Sequence, residues 1–466
     1  MARKKENLTS AERLEEALVP EGEQPYPVPG NWCWTQLGTY IDFATDYVAN
    51  GSFASLKQNV AYYKEENYAI LVKTQDFSNS FTEDLTYTDK RGYDFLKKSV
   101  LYGGELILSN IGSIGKVFRV PHLNKPMTLA PNSIMIKCYR ETDYDLLYYY
   151  FLSPFGTEQL YSITTGTAVK KFNKTDLKAI CLPLPPLSEQ QRIVDRIESL
   201  FAKLDEAKQK AQEALDSFET RKAAILHRAF TGELTAQWRK ERDVGMESWD
   251  NTTLSKIVIG FKYGISEKSD YSYKGMPVFR IPNITDDGLS FEDLKFLSHK
   301  DISDENQIHE NDILIVRSNG SRELVGKSVL VPQLDREYAY ASFLIRIQPL
   351  ESVVPNYLVM YLNSTDARMQ MFKKAKSSAG INNINSKELG AILINLPSFS
   401  EQAEIVRILD NLLAKEQQAK EAAEGVLKQI DLIKKAILAR AFRGELGTND
   451  PSEESAVELL KQISSC

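Results

Sequence analysis

The sequence predicts an α+β fold: two tandem strand-rich globular units separated by two long helices paired as an antiparallel coiled coil, a dumbbell with a pseudo-twofold axis. Three observations predict it. The chain repeats itself at an offset of 212 residues. Each copy ends in about 40 residues of heptad-spaced apolar side chains, the mark of a coiled-coil seam. Upstream of each copy lie short apolar runs bounded by Gly, Asn, Pro or Asp, which read as strands.

The repeat is the firmest of the three. AICLPLPPLSEQQRIV, from Ala179, returns as AILINLPSFSEQAEIV, from Ala391, and 26 of the 56 positions from Ala179 to Leu234 are identical in the second copy. Both close alike, with AILHRAFTGEL and AILARAFRGEL. Earlier in each copy Trp32 and Leu37 match Trp249 and Leu254, LVKTQDF from Leu71 matches VFRIPNI from Val278, and GGELILSNIGSIGK from Gly103 matches ENDILIVRSNGSRELVGK from Glu310. GTAVKKFNKTDL, from Gly166, lies over AGINNINSKEL, from Ala379. The boundaries that follow are an N-terminal arm with a short helix at 1–25, a first head at 26–187, a central helical region at 188–245, a second head at 246–399, a distal helical region at 400–446 and a tail with a short helix at 447–466.

The first seam runs through Ile193, Ile197, Leu200, Leu204, Ala207, Ala211, Ala214, Phe218 and Ile225, with a gap at Arg221. The second runs through Ile405, Leu409, Leu412, Ala419, Ala423, Val426, Ile430, Ile433 and Ile437, interrupted by Glu416. A lone carboxylate there must reach water or a basic partner. Pro186 and Pro397 precede Ser188 and Ser400, which can cap the first amides, and Gly232 and Gly444 mark the ends. Ala207 and Ala211, facing Ala419 and Ala423, would let the backbones approach closely. The alternative is that each helix packs on its own head; the equal length of the two seams favours mutual pairing.

Within the heads, YAILVKTQDF, ELILSN, SIMIKC, DILIVRS and FLIRI read as strands, and DYDLLYYYFLSPFGTEQL and PNYLVMYLNSTDARMQMF as helices. The run Tyr148, Tyr149, Tyr150 could stack bases. Three successive aromatics on a helix point in different directions, however, and fill a core more readily.

Composition excludes several functions. With 466 residues, 42% of them hydrophobic, the chain can bury sizeable cores. Its 57 Lys and Arg against 63 Asp and Glu give a net charge of −6, so any nucleic-acid binding comes from local patches. Cys33, Cys138, Cys181 and Cys466 are too dispersed for a metal knuckle and too few to staple the chain, which suits a reducing, cytoplasmic compartment. MARKKENLTS leads into an acidic stretch rather than a signal peptide, and no apolar run reaches membrane-spanning length. His122, His227, His299 and His309 form no HExxH motif, so neither a catalytic nor a metal site is expected. GSRELVGKS, from Gly320, has one residue too many for a phosphate loop, and its counterpart GSIGK is three residues shorter; both read as hairpin loops. No glycine-rich strand-to-helix turn suits a nucleotide or methyl-donor cofactor.

What remains is a two-headed binder. Residues 26–187 carry 16 basic and 15 acidic side chains, and residues 246–399 carry 17 and 19. Base-edge and phosphate partners gather in the loops that differ between heads. In the first head these are Lys73, Gln75, Ser109, Asn110, Lys116, Lys170, Lys171, Asn173 and Lys174. In the second they are Arg280, Asn283, Arg317, Ser318, Asn319, Arg322, Lys327, Asn382, Asn383 and Asn385. Each could instead merely solvate a loop.

LPPLSEQQRIV with its heptad helix ending in ILHRAFTGELTAQWR, together with the copy LPSFSEQAEIV ending in ILARAFRGEL, resembles the specificity subunit of type I restriction-modification systems. The likeness spans nearly the whole chain, including AERLEEALVP near the start and PSEESAVELLKQI near the end, which in this family complete a circular arrangement. The resemblance implies two target-recognition domains, each reading one half of a split sequence in double-stranded DNA, held apart by two helical regions. It also implies two modification (methyltransferase) subunits that carry S-adenosylmethionine and methylate adenine N6, and restriction (endonuclease/translocase) subunits in the full complex. The chain itself would be non-catalytic and hold no cofactor. Two departures stand out: Thr231 becomes Arg443, and TAQWR after Leu234 becomes GTND after Leu446, so the two ends need not meet partners equally. A coiled-coil scaffold that joins two proteins and never touches DNA is the alternative; it predicts similar loops on both heads.

Overall fold

The computed structural model describes residues 10–139, 142–167, 169–378 and 380–465. The N-terminal MARKKENLT, Ala168 of GTAVKKFNKTDL, Ala379 of AGINNINSKEL and Cys466 lie outside the described residues. The chain divides into two compact units, one of residues 1–210 with 426–466 and the other of residues 211–425.

Each unit is built around the same pair of sheets. In the first, an antiparallel sheet runs in the order Ile41–Asp46, Ser133–Cys138, Leu106–Ser109, Val117–Arg119. A second sheet runs Tyr87–Thr88, Ala69–Val72, Met127–Leu129, Val100–Leu101, its middle pair parallel. In the second unit the first sheet is Val258–Tyr263, Leu344–Pro349, Ile313–Val316, Ser328–Leu330, and the second is Lys295–Phe296, Pro277–Phe279, Ala339–Tyr340, again with one parallel pair. ELILSN and DILIVRS are continuous apolar runs because Leu106–Ser109 and Ile313–Val316 are buried along their whole length. GSIGK and GSRELVGKS are the hairpin loops that follow these strands, pairing Leu108 with Val117 and Ile315 with Ser328.

Each predicted head helix is two. Tyr144–Leu152 stops at Ser153, whose Oγ accepts from Gly156 N to start Pro154–Ser162. Pro355–Leu362 stops before Ser364, which caps Thr365–Lys374 in the same way. Tyr150 is fully buried, Tyr148 and Tyr149 pack against the same core, and Tyr149 meets the Phe201 ring edge-on at 5.9 Å. This run fills the core.

The first long helix is Leu187–Asp216, broken at Ser217 and resumed as Phe218–Phe230; the second is Phe399–Ala441. Ser217 Oγ donates back to Glu213 O at 2.8 Å, a local bond that bends a helix. In both units the two helices run antiparallel. In the first unit Lys434 Nζ meets Asp205 Oδ1 at 2.6 Å, while Ile193 and Ile197 share a core with Leu438, Ala441 and Phe442. In the second, Arg221 Nε donates to Glu416 Oε2 at 2.8 Å, while Leu226, Ala229 and Phe230 share a core with Ile405 and Leu409. The two interruptions in the apolar pattern are therefore partners of one another. The end of the first repeat's helix thus packs into the second head's core, and the end of the second repeat's helix into the first head's core.

The expected seam needs two corrections. Ile193, Ile197, Ala211, Phe218, Ile405, Leu409, Ala423 and Ile430 are buried, and Leu200, Leu204, Ala207, Ala214, Ile225, Leu412 and Ile437 are half-buried. Ala419, Val426 and Ile433 are exposed instead. Their places are taken one residue on by Lys420, Leu427 and Lys434, where the two lysines lay their stems over Phe218 and Phe201, ammonium to ring centre 4.8 and 4.9 Å. An apolar-letter pattern cannot register a lysine stem. The expected facing of Ala207 and Ala211 with Ala419 and Ala423 also fails, since the Arg221–Glu416 register sets Ala423 level with the Ala214 turn.

Capping differs from expectation too. At the second helix it is Ser398 Oγ, rather than Ser400, that accepts from Glu401 N, and Ser188 bonds Glu453. The residues after those serines form latches. Glu189, fully buried, accepts from Trp32 Nε1 (2.7 Å), Thr448 Oγ1 (2.9 Å) and Asn449 Nδ2 (2.8 Å). Glu401, equally buried, accepts from Trp249 Nε1 (3.0 Å), Thr235 Oγ1 (2.7 Å) and Arg239 Nη1 (2.6 Å). TAQWR and GTND, dissimilar in letters, do the same work.

The first and last described helices meet within the first unit. Helix Ser10–Ala17 contacts helix Ala456–Ser465, and Ala456 N donates to Asn31 O at 2.9 Å. No helix of the described residues is long and apolar enough to cross a membrane.

Candidate nucleic-acid interface

In each unit three chain segments converge at the end of the first sheet, and they are equivalent segments. In the first head, the chain leaving Leu106–Ser109 turns at Gly112, which needs its positive φ of 80°. There Ile111 bridges Lys171, Gly112 N donates to Lys170 O, and Phe172 N donates to Asn110 O. Phe172, buried, anchors the segment. The third segment is the end of Ile41–Asp46, where Asp46 Oδ1 pairs with Lys174 Nζ at 2.8 Å. Asn110, Lys170, Lys171 and Lys174 are thereby brought together, with Lys116 exposed at the base of the hairpin. Lys170 sits over the Tyr161 ring at 6.0 Å.

The second head repeats the plan with different side chains. Ser318 and Asn319 pair with Asn383 and Asn382, and Ile384 N donates to Arg317 O. The Arg317 guanidinium lies 4.7 Å from the centre of the Tyr263 ring at the end of Val258–Tyr263, and its Nε donates to Asn383 Oδ1 at 3.4 Å. Tyr263 OH accepts from Ser386 N, the position equivalent to Lys174. Phe343 stands 56% exposed beside this cluster, since Arg317 N donates to Phe343 O.

Several candidates fall elsewhere. Lys73, just after strand Ala69–Val72, donates to Thr86 Oγ1, and Gln75 lies exposed on the turn that follows. The turn is closed by buried Asp76, whose carboxyl burial pushes above its ordinary range despite the bond from Lys73 N. Arg280 is tied to Asp293, with Nη2 donating to its backbone O at 2.6 Å. Arg322 donates to Phe372 O, and Lys327 pairs with Asp286. Four others have their polar groups engaged within the head. Asn283 is buried with its amide spent on Arg280 N and Glu292 O. Asn173 and Asn385 are helix N-caps, accepting from Asp176 N and Glu388 N. Ser109 is buried in its strand. Ser318 is nearly so, 9% exposed.

The sequence reading missed Asp46, Tyr263, Phe53 and Phe343. A single exposed aromatic has no pattern that separates it from a core residue, and the strand ends at Asp46 and Tyr263 reach the face only through the order of strands in the sheet. Among the described residues, no group of three or more His, Cys, Asp or Glu stands close enough to hold a metal. The face offers amides, guanidinium and ammonium groups and aromatic rings: chemistry for binding a polyanion with base edges.

A family model described as "Type I restriction modification DNA specificity domain" matches residues 48–215 and again 246–424. The EcoKI specificity subunit of Escherichia coli K12 is 26% identical over 426 residues, covering 87% of this chain and 90% of that protein. The EcoBI specificity subunit of Escherichia coli is 27% identical, covering 70% and 72%. Among solved structures, the HsdS subunit of Thermoanaerobacter tengcongensis superposes with a TM-score of 0.64 at 22% identity, covering 91% of this chain and 99% of that one. That likeness is one of fold.

Proposed function

Because the chain belongs to the type I restriction modification DNA specificity family, we propose that it is the sequence-reading component of such a complex, with each head reading one half of a bipartite DNA target. The observation that carries this is the shared three-segment face, built in one head from Asn110, Lys170, Lys171 and Lys174 and in the other from Arg317, Asn319, Asn382 and Asn383. One framework with two sets of base- and phosphate-seeking side chains suits two different half-sites. A scaffold that never touches DNA would have no use for the difference.

The paired helices set the spacing between half-sites and dock the modification subunits. Val426, Leu432 and Ile433 support the docking role, being exposed on the second helix by 39%, 66% and 42%; exposed apolar side chains in one region mark an interaction site. The chain does no chemistry of its own. Methyl transfer to adenine N6, with S-adenosylmethionine, belongs to the modification subunits, and cleavage to restriction subunits. The near-neutral heads each bind weakly, and linkage raises the joint affinity.

Methylome sequencing of a host that carries this chain with its modification subunit tests the reading. The expected result is a single methylated motif made of two short specific blocks separated by unread bases. An uninterrupted motif, or none, would contradict it.

A further inference from the structure

The first head carries a cleft of about 490 Å³ whose walls include Val48, Phe53, Leu56, Tyr62, Asn110 and Asn132. It adjoins the face described above, since Asn110 belongs to both. Phe53 is 81% exposed, an unusual position for a phenyl ring in a free protein. The helix that presents the ring is held in place: Ser52 Oγ accepts from Ser55 N to start Phe53–Asn59, and buried Leu56 anchors it. Tyr62 OH donates to Tyr47 OH at 3.1 Å, which fixes the neighbouring aromatic wall. The second head has no counterpart, because no helix forms between Tyr263 and Pro277.

The polar part of the cleft is one-sided. Asn110 Nδ2 donates to Phe172 O at 3.2 Å, which identifies the nitrogen and oxygen ends of the amide. Its Oδ1 is buried and has no partner, and an orphaned buried acceptor carries a free-energy cost that a ligand donor can relieve. A ligand for this cleft therefore offers a hydrogen-bond donor beside an apolar group.

We infer that the cleft reads one A·T base pair of the first half-site through the major groove, with Asn110 Oδ1 accepting from the adenine N6 amine and the thymine methyl packing on Phe53 and Val48. Only adenine N6 and cytosine N4 donate in the major groove, and only thymine carries a methyl group there. The pair that supplies both is A·T. Lys57 in the cleft and Lys174 beside it, held by Asp46, lie where backbone phosphates pass. Asn110 turns as the base enters, exchanging an unmet acceptor for a hydrogen bond. The inference rests on the DNA-reading function and specifies one contact within it.

The test uses the whole chain assembled with its modification subunits and duplexes carrying its methylated motif, the first half-site being assigned by exchange of residues 30–180. Each thymine of that half is replaced in turn by uracil, which deletes only the methyl. Binding is expected to weaken about fourfold at one position, the worth of one buried methyl, and Phe53→Ala is expected to abolish that sensitivity. Asn110→Leu is expected to relax the same base pair in the methylated motif and to leave the second half unchanged, which also reports that the variant is folded. Uracil tolerated at every position, a first half without an A·T pair, or equal uracil sensitivity in Phe53→Ala would overturn the cleft assignment while leaving the two-part motif intact. Absence of a two-part motif in the unaltered complex would remove the function on which it rests.

Discussion

Glu189 and Glu401 hold their helices to their heads with the same geometry and different electrostatics. Glu401 has a buried cation, Arg239, whose side chain is 8% exposed; the groups that bond Glu189, those of Trp32, Thr448 and Asn449, are neutral. Removing one partner of a buried ion pair strands the other charge, at about 3–5 kcal/mol, whereas losing a charge held by neutral donors costs about 1–3 kcal/mol. Glu401→Gln should therefore lower the thermal midpoint by more degrees than Glu189→Gln, as followed by calorimetry. Equal shifts would contradict the asymmetry. Burial pushes the thiols of Cys33 and Cys138 up to about 12, so at neutral pH both stay protonated and act as small core residues. The matched tryptophans and the repeated Ser-Glu-Gln step were legible in the sequence, but the role of the glutamate was not, because a carboxylate after a serine looks like ordinary helix-start chemistry. Asn173 and Asn385 misled for the converse reason. An asparagine three residues before Asp176 or Glu388 has capping spacing, and in an otherwise basic loop it passes for a base reader.

At the scale of elements, strand and helix positions followed from periodicity, since a strand buried on both faces or a helix with one apolar stripe announces itself. Along the first helix every expected seam position is buried or half-buried, and along the second six of nine are; there Lys420 and Lys434 cover aromatic rings at positions an apolar count skips. Arg221 and Glu416 appear in sequence as two unrelated defects; the pairing turns them into a register mark. Their side chains are 37% and 22% exposed, so a coupling of about 0.5–1 kcal/mol is expected rather than the value for a buried pair. A double-mutant cycle with Arg221→Ala and Glu416→Ala in chemical denaturation measures it, and a coupling of zero would mean that the pair sets no register. The convergence of three segments on one face was partly legible, because the aligned blocks around Asn110 and Asn319, and around Lys171 and Asn382, already marked two of them. The third, the strand end at Asp46 and Tyr263, needed the sheet order.

For the whole molecule, the helix that follows each head ends in the core of the other, through Phe230 and Phe442, and this is why the repeated motif is alike at both ends. If the paired helices space two half-sites, as proposed, their length sets the number of base pairs between them. Inserting one heptad into each long helix keeps the seam facing its partner and adds about 10 Å of helix, equivalent to about three base pairs at roughly 3.4 Å each. The methylated motif of that variant should show a longer gap between unchanged blocks. An unchanged gap would reject the spacing role. The measurement that bears most directly on the two-reader account is the exchange of residues 30–180 for the corresponding head of another family member, followed by methylome sequencing. The account predicts a motif with one block replaced and the other block retained; alteration of both blocks, or of neither, would contradict it.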